Sequence, residues 1–105
     1  MKNSYKTPWH VRQYVKKELL DYKSNKKLIE KYRGDSRGLI LANMRISQIE
    51  AVLNSLSKDD REAAEMIFIK KIPQSAAELK GLSKAAYYNV MNKVIFLTAV
   101  EMDLI

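Results

Sequence analysis

Residues 75–92 read SAAELKGLSKAAYYNVMN, and this stretch indicates two short helices joined by a tight turn. Ser75 and Glu78 have the spacing of a capping box, so we expect a helix to start directly after Ser75. Gly81 follows where that helix must stop, because glycine adopts the left-handed conformation that such a stop often requires. Ser83 then has the residue type of a cap for a second helix. This pattern is typical of a helix-turn-helix, whose second helix enters the major groove of DNA.

The small side chains of Ala77 and Gly81 are expected to let the two helices cross closely. Tyr87 and Val90 lie three positions apart and are expected to face inward on the second helix. A plain helical hairpin within a bundle can also carry a capped helix, a glycine and another cap. The spacing alone leaves both interpretations open.

The outward face of the second helix carries side chains that suit DNA. Asparagine can bond adenine through two atoms, alanine can touch a thymine methyl group, and lysine can reach guanine or phosphate. Backbone N–H groups at the helix start also favour phosphate. An ordinary solvated face is the alternative. The expected DNA-binding residues are Ser83, Lys84, Ala85, Tyr88, Asn89, Asn92 and Lys93.

Charge is distributed unevenly in this chain of 105 residues with a net charge of +7. Residues 1–54 hold 12 Lys/Arg against 5 Asp/Glu, whereas residues 55–105 hold 7 of each. Within the second half, residues 70–93 carry a local +4. We therefore expect base readout from the helix-turn-helix and much of the electrostatic attraction from elsewhere. The lysines expected to contact phosphate or an acidic partner are Lys16, Lys17, Lys26, Lys27, Lys70, Lys71 and Lys80.

Upstream, Thr7-Pro8 predicts the entry of a first helix, with Thr7 as the cap and Pro8 in the first turn. Apolar residues at helical spacing continue this helix to about Tyr22, and Trp9 is expected to anchor it.

A second, shorter helix is predicted to be capped by Ser24 or Asn25 and to end at Gly34. Residues 34–38, GDSRG, read as a loop. The apolar residues 39–41 fit either the start of the next helix or a segment pinned under the bundle.

Residues 46–56 carry a strong apolar stripe that predicts another helix. Ser57 is expected to cap the following helix, and Pro73 to close it, because proline disfavours helical geometry in the residue before it. The expected buried face of that helix consists of Ala63, Met66, Ile67 and Ile69.

The last helix is predicted to run from Lys84 to about Glu101. Its end, VIFLTAVEMDLI at residues 94–105, is too apolar for an ordinary surface helix. Either the N-terminal helices wrap it or it pairs with a second copy of the chain. A homodimer through this helix is favoured, since helix-turn-helix proteins commonly act as dimers.

These elements predict an all-α fold, a small helical bundle with a C-terminal helix-turn-helix, in a single domain spanning residues 1–105. Residues 1–56 form its basic N-terminal helices and residues 57–105 the helix-turn-helix region. The chain has no cysteine and only one histidine, His10, so the usual nucleophile–base pairs are missing. We expect no enzyme activity, no metal and no cofactor. No apolar run is long enough for a bilayer, so no membrane partner is expected.

The order of the predicted elements resembles the ArpU/RinA-type phage transcriptional regulators of Gram-positive bacteria. The resemblance covers about residues 14–94 and includes LLDYKSNKKLIEKY, ISQIEAVLNSL, LSKDDREAAEMIFI and LSKAAYYNV. Leu82, Ser83, Tyr87 and Tyr88 match the segment that opens the recognition helix of that family. The resemblance implies a C-terminal region similar to region 4 of sigma-70 factors, and a phage or prophage regulator of late-gene or autolysin-related promoters.

The resulting hypothesis is a sequence-specific regulator in the bacterial cytoplasm that binds double-stranded DNA. It is expected to activate late genes by contacting RNA polymerase. Two alternatives remain: a module that docks on RNA polymerase without reading DNA, and a DNA binder similar to the small subunit of a phage packaging terminase.

Overall fold

The computed structural model describes residues 5–31 and 37–105, with the backbone alone at residues 37 and 38. Within these ranges the chain forms helices and no β-strand, which confirms the all-α fold class. The helices are α1 (Trp9–Leu20), α2 (Tyr22–Lys31), α3 (Arg37–Ser55), α4 (Lys58–Ala64), α5 (Gln74–Leu79) and α6 (Lys84–Glu101), and a π-helical turn (Glu65–Ile69) continues α4. None of these helices combines the length and the apolarity that a bilayer span requires.

The C-terminal helix α6 lies at the centre of the core. Val94, Ile95 and Ala99 are fully enclosed, and α1, α3 and α4 pack around them. A valine or isoleucine side chain contributes about 1.5–3 kcal/mol when it leaves water. The apolar end of α6 is therefore wrapped by the N-terminal helices, which is the first of the two alternatives. Most apolar side chains of this end are thus covered within one chain, while Val100 and Ile105 remain 45% and 46% exposed. The homodimer through this helix stays a prediction.

The start of α1 differs from the prediction. Pro8, not Thr7, is the N-cap residue, and its carbonyl accepts the Arg12 N–H at 2.8 Å. Pro8 is extended, with ψ of 142°, so the helix begins one residue later and the Thr7 hydroxyl is buried without a hydrogen-bond partner. Trp9 is 75% exposed and does not anchor the helix.

The boundary between α1 and α2 was also predicted wrongly. The chain bends at Asp21, and α2 begins immediately afterwards at Tyr22. The Asp21 carbonyl accepts the Asn25 N–H at 2.8 Å, so the helical hydrogen bonds begin before Ser24 and Asn25. These two residues therefore lie inside α2 and cap nothing.

Helix α3 begins earlier than the sequence indicated. Its first residues, 37 and 38, belong to the predicted GDSRG loop, and residues 39–41 continue the helix. The other loop residues, 34–36, lie outside the described residues, as does the predicted end of α2 at Gly34. The apolar stripe of residues 46–56 is confirmed, since Ile46, Ile49, Val52 and Leu53 are buried.

A cluster of Tyr22, Lys26 and Glu50 fastens α2 to α3. The Tyr22 hydroxyl donates a 2.7 Å hydrogen bond to Glu50 Oε2, and Lys26 Nζ donates one of 2.8 Å to the same oxygen. The hydrogen bond from Lys26, and to a smaller extent that from Tyr22, lowers the pKa of Glu50. The basic helix α2 is thus held to the bundle by a carboxylate as well as by its apolar face.

Helix α4 begins as predicted, because the Ser57 hydroxyl accepts the Asp60 N–H at 3.2 Å. In the π-helical turn, the Lys70 N–H bonds the Glu65 carbonyl at 2.9 Å, one residue beyond ordinary α-helical spacing. This wider turn buries Phe68, which was not predicted, while Met66 and Ile69 of the predicted face are only half-buried.

Two expectations around residues 69–75 were wrong. Pro73 does not close α4. The helix ends at Ile69, and the chain turns through Lys71, whose φ is 54°. Pro73 instead is the N-cap residue of α5, and its carbonyl accepts the Ala77 N–H at 2.9 Å. Helix α5 therefore starts before Ser75, which lies within its first turn and does not cap it.

Candidate nucleic-acid interface

Helices α5 and α6, joined by a turn at residues 80–83, occupy the segment predicted to be a helix-turn-helix, and we keep that name for the segment. Gly81 has φ of 95°, and the Leu82 N–H returns to the Ala77 carbonyl at 3.0 Å. This pair of features is the usual left-handed end of a helix. A methyl group added at Gly81 would meet no atom within 4 Å. Glycine is therefore needed here for its positive φ and not for the close helix crossing that was expected. Ala77, by contrast, is fully buried between the helices.

Helix α6 begins at the predicted cap, where the Ser83 hydroxyl accepts the Ala86 N–H at 3.1 Å. Tyr87 then fixes the helix to the rest of the domain. Its side chain is buried, and its hydroxyl donates a 3.0 Å hydrogen bond to the Ile72 carbonyl just before α5. Burial raises the pKa of Tyr87, which keeps the hydroxyl protonated as a donor. The predicted frame is confirmed, since Tyr87 faces inward and Tyr88 outward.

The exposed residues among those predicted to bind DNA lie at the N-cap and in the first two turns of α6. Of the seven predicted DNA-binding residues, five are exposed there: Ser83, Lys84, Ala85, Tyr88 and Asn89. Tyr88 packs edge-on against Tyr87, with ring centroids 5.2 Å apart, and remains 43% exposed. We call these five residues the reader face. The beginning of a recognition helix is the part that contacts base edges in helix-turn-helix proteins.

Asn92 lies one turn further along α6, and its side chain bonds to another helix of the bundle. Arg12 of α1 donates a 2.7 Å hydrogen bond from its guanidinium to Asn92 Oδ1 and also contacts the Met91 sulfur at 3.8 Å. Bidentate recognition of adenine requires that same oxygen as an acceptor. Asn92 is therefore removed from the set of base readers.

Lys93 is also engaged. Its ammonium lies 2.9 Å from Asp60 Oδ2 of α4, and both side chains are more than two-thirds covered. The hydrogen bond to Asp60 raises the pKa of Lys93, so the charge is held in this pair. Lys93 fastens α4 to α6 and does not extend the reader face.

The seven lysines expected to contact phosphate or a partner fall into two groups. Lys17 and Lys26 form ion pairs with Asp21 and Glu50, at 3.0 and 2.8 Å. The remaining five have no ion pair among the described contacts. Lys27 lies exposed on α2, Lys16 lies half-buried on α1, and Lys70, Lys71 and Lys80 are exposed around the helix-turn-helix. The structure therefore brings positive charge to both ends of α5.

Arg12, Asp60 and Glu50 are the structural residues that sequence reasoning missed. Arg12 and Asn92 are 80 positions apart, and no local pattern links them. Asp60 lies in the first turn of α4, where a carboxylate favours the helix start, and this local role does not reveal a distant lysine partner.

Among the described residues, no group of three or more His, Asp or Glu side chains is placed to hold a metal ion. Comparison of the chain with protein-family models, with curated proteins and with solved structures finds no match. The resemblance to phage regulators thus depends on the segments quoted above.

Proposed function

We propose that this protein is a sequence-specific DNA-binding transcriptional regulator that reads double-stranded DNA with the first two turns of α6. In the fuller form of the proposal, which follows the family resemblance, it is encoded by a phage or prophage. It acts in the bacterial cytoplasm and activates late genes by contacting RNA polymerase.

The observation that carries the proposal is the exposure pattern of α6. Tyr87, Val90 and Met91 are buried, while Lys84, Ala85 and Asn89 point away from the core beside a four-residue turn. This leaves a lysine, a methyl group and an amide on one convex face, next to a helix start. These groups match the donors, acceptors and methyl groups on base edges in the major groove.

The charge around this face supports nucleic acid as the partner. Residues 70–93 carry +4, with Lys80 at the start of the turn and Lys84 directly after it. With Lys93 neutralised by Asp60, the exposed lysines near the turn still favour a polyanion. Ser83 and the free N–H groups at the start of α6 add a place for a phosphate oxygen.

Selection from a random duplex library tests the proposal. Wild-type protein should enrich a short motif, and the double variant K84A/N89A should lose that enrichment. The matched control is N54A/K58A, which removes the same two residue types from exposed positions on α3 and at the start of α4. Absence of any enriched motif, or equal loss in both variants, would overturn sequence-specific reading.

A second candidate is a module that docks on a protein such as RNA polymerase. It is favoured by the exposed apolar side chains on the first half of α3: Ile40, Leu41 and Met44 are 69%, 52% and 47% exposed. Three such neighbours on one helix are typical of an interaction surface. Retention of polymerase by immobilised protein without DNA, lost in I40S/M44S, would favour this candidate.

A further inference from the structure

A groove runs along one side of the helix-turn-helix, between α1 and the segment that joins α4 to α5. Lys16 and Leu20 of α1 form one wall, and Lys71, Ile72 and Pro73 form the other. Its floor is made by Ile67, Phe68, Tyr87 and Met91. Two lysines from distant parts of the sequence thus meet across an apolar floor.

The groove continues the reader face. Lys84, Tyr88 and Met91 follow one another at spacings of four and three, so they lie along one side of α6. Lys84 and Tyr88 are exposed, whereas Met91 is buried and lines the groove. A strand of DNA that contacts the reader face would therefore pass directly to the groove.

Lys71 occupies a backbone conformation that is unfavourable for its type. Its φ of 54° is left-handed, and the following Ile72 N–H bonds the Met66 carbonyl at 3.0 Å, which ends the helical segment. Glycine is the usual residue at this position of a helix end, because side chains other than glycine strain it. Strained positions cluster at functional sites, and here the strained residue is a lysine that lines the groove.

The opposite wall is fixed by Arg12. Its hydrogen bond of 2.7 Å to Asn92 and its contact of 3.8 Å to the Met91 sulfur hold α1 against α6. Lys16 follows Arg12 by one helical turn, so the same contact determines where Lys16 stands relative to α6.

The electrostatics of the groove favour an anion. None of the described residues that line it is acidic. Glu18 of α1 follows Lys16 by two positions and so lies on another side of the helix. Asp21, directly after α1, is paired with Lys17 at 3.0 Å. The two groove lysines therefore keep their charge available to a ligand.

We propose that this groove binds a phosphodiester of the DNA backbone, with Lys16 and Lys71 on its phosphate oxygens and the apolar floor against the sugar. The inference rests on the proposed function and adds α1 to the DNA interface. It also explains why a lysine stands at a glycine position and why α1 is fixed to the recognition helix by Arg12.

The test compares K16A and K71G with wild type in duplex binding between 50 and 200 mM salt. Each phosphate contact contributes about 0.9 to the slope of log affinity against log salt. Each variant should lose that amount, so its affinity should fall with salt about 3.5-fold less than that of wild type over this range. K71G relieves the left-handed strain, so its thermal midpoint should equal or exceed that of wild type. Loss of binding then cannot come from unfolding.

The control is K23A, which removes the same charge from an exposed position on α2 outside the groove. Wild-type binding with a steep salt slope, together with K16A and K71G slopes equal to that of K23A, would overturn the phosphate site and leave the proposed function intact. No salt-dependent binding by wild type would overturn both. A smaller slope in K16A and K71G alone supports the groove.

Discussion

The guanidinium of Arg12 donates a 2.7 Å hydrogen bond to Oδ1 of Asn92, which lies 80 residues further along the chain. This bond joins the first helix to the last and lies where the reader face ends. It takes Asn92 out of the set of side chains that can meet a base. The basic N-terminal half is therefore bonded directly to the second helix of the helix-turn-helix.

Removal of this bond should destabilise the protein through a measurable pairwise term. Hydrogen bonds to charged groups contribute about 1.5–3 kcal/mol, and partial exposure places this one at the lower end. In a double-mutant cycle of R12A and N92A, followed by urea unfolding, we expect a coupling of about 1.5 kcal/mol. Additive effects would contradict the bond, and the pair R12A and N89A, which do not touch, should show that additivity.

Asn89 and Asn92 should separate into a reader and a structural residue. N89A should leave the unfolding midpoint unchanged and lower discrimination at one base pair by about 1–3 kcal/mol, because the amide that recognises adenine is lost. N92A should lower stability and leave the preferred motif unchanged. Competition with duplexes that each carry one base change measures the first effect. An altered motif in N92A would contradict the assignment.

Gly81 should tolerate asparagine better than alanine. Its φ of 95° lies where alanine is strained, although a Cβ there would meet no neighbour within 4 Å. The cost of G81A is therefore conformational alone, about 1–2 kcal/mol, and G81N should cost less, because asparagine adopts left-handed conformations more readily. Chemical unfolding of both variants measures the difference. Equal stability of G81A and wild type would show that the turn does not require a left-handed residue.

The Tyr22–Lys26–Glu50 cluster should make stability depend on pH at both ends of the scale. Hydrogen bonds from Lys26 and Tyr22 lower the pKa of Glu50 below its ordinary value of 4.5. Its contribution is therefore fully present above pH 4.5 and is lost as the pH falls through the lowered value. Glu50 raises the pKa of Lys26 above 10.5, so that contribution is present below 10.5 and is lost as the pH rises through the raised value.

The stability difference between wild type and E50Q should accordingly be largest near neutral pH and shrink in both acid and alkali. Urea unfolding at a series of pH values gives this curve. E62Q, at an exposed position on α4, is the matched control and should differ little from wild type. A difference that grows as the pH falls below 4.5 would be the wrong sign for this cluster.

Local signals predicted the turn between α5 and α6 and the start of α6 well. The caps at Ser57 and Ser83 are as expected, because each serine stands alone before a helical pattern and bonds a backbone N–H three residues on. The left-handed conformation of Gly81 was also predicted from a local signal, namely a glycine directly after a helical pattern. The Lys84–Glu101 boundaries of α6 followed from the cap and the length of the apolar pattern.

The errors arose where two residues competed for one role. Pro8 displaced Thr7 as a cap and Pro73 displaced Ser75, because proline holds φ in the range that precedes a helix and its carbonyl starts the hydrogen-bond ladder. The left-handed Lys71 had no sequence signal, since lysine is not the expected residue there. The bonds of Asn92 and Lys93 depend on tertiary packing, so sequence alone placed both residues among the expected DNA-binding residues.

Affinity of the wild-type protein for a mixed-sequence duplex, measured by fluorescence anisotropy from 50 to 200 mM salt, decides whether the protein binds duplex DNA, on which both proposals above depend. We expect log affinity to fall linearly with log salt, with a slope of about −0.9 for each phosphate that the lysines contact. K84A/N89A should bind more weakly than N54A/K58A at every salt concentration. A slope of zero, or no binding above that of a neutral control, would contradict the account.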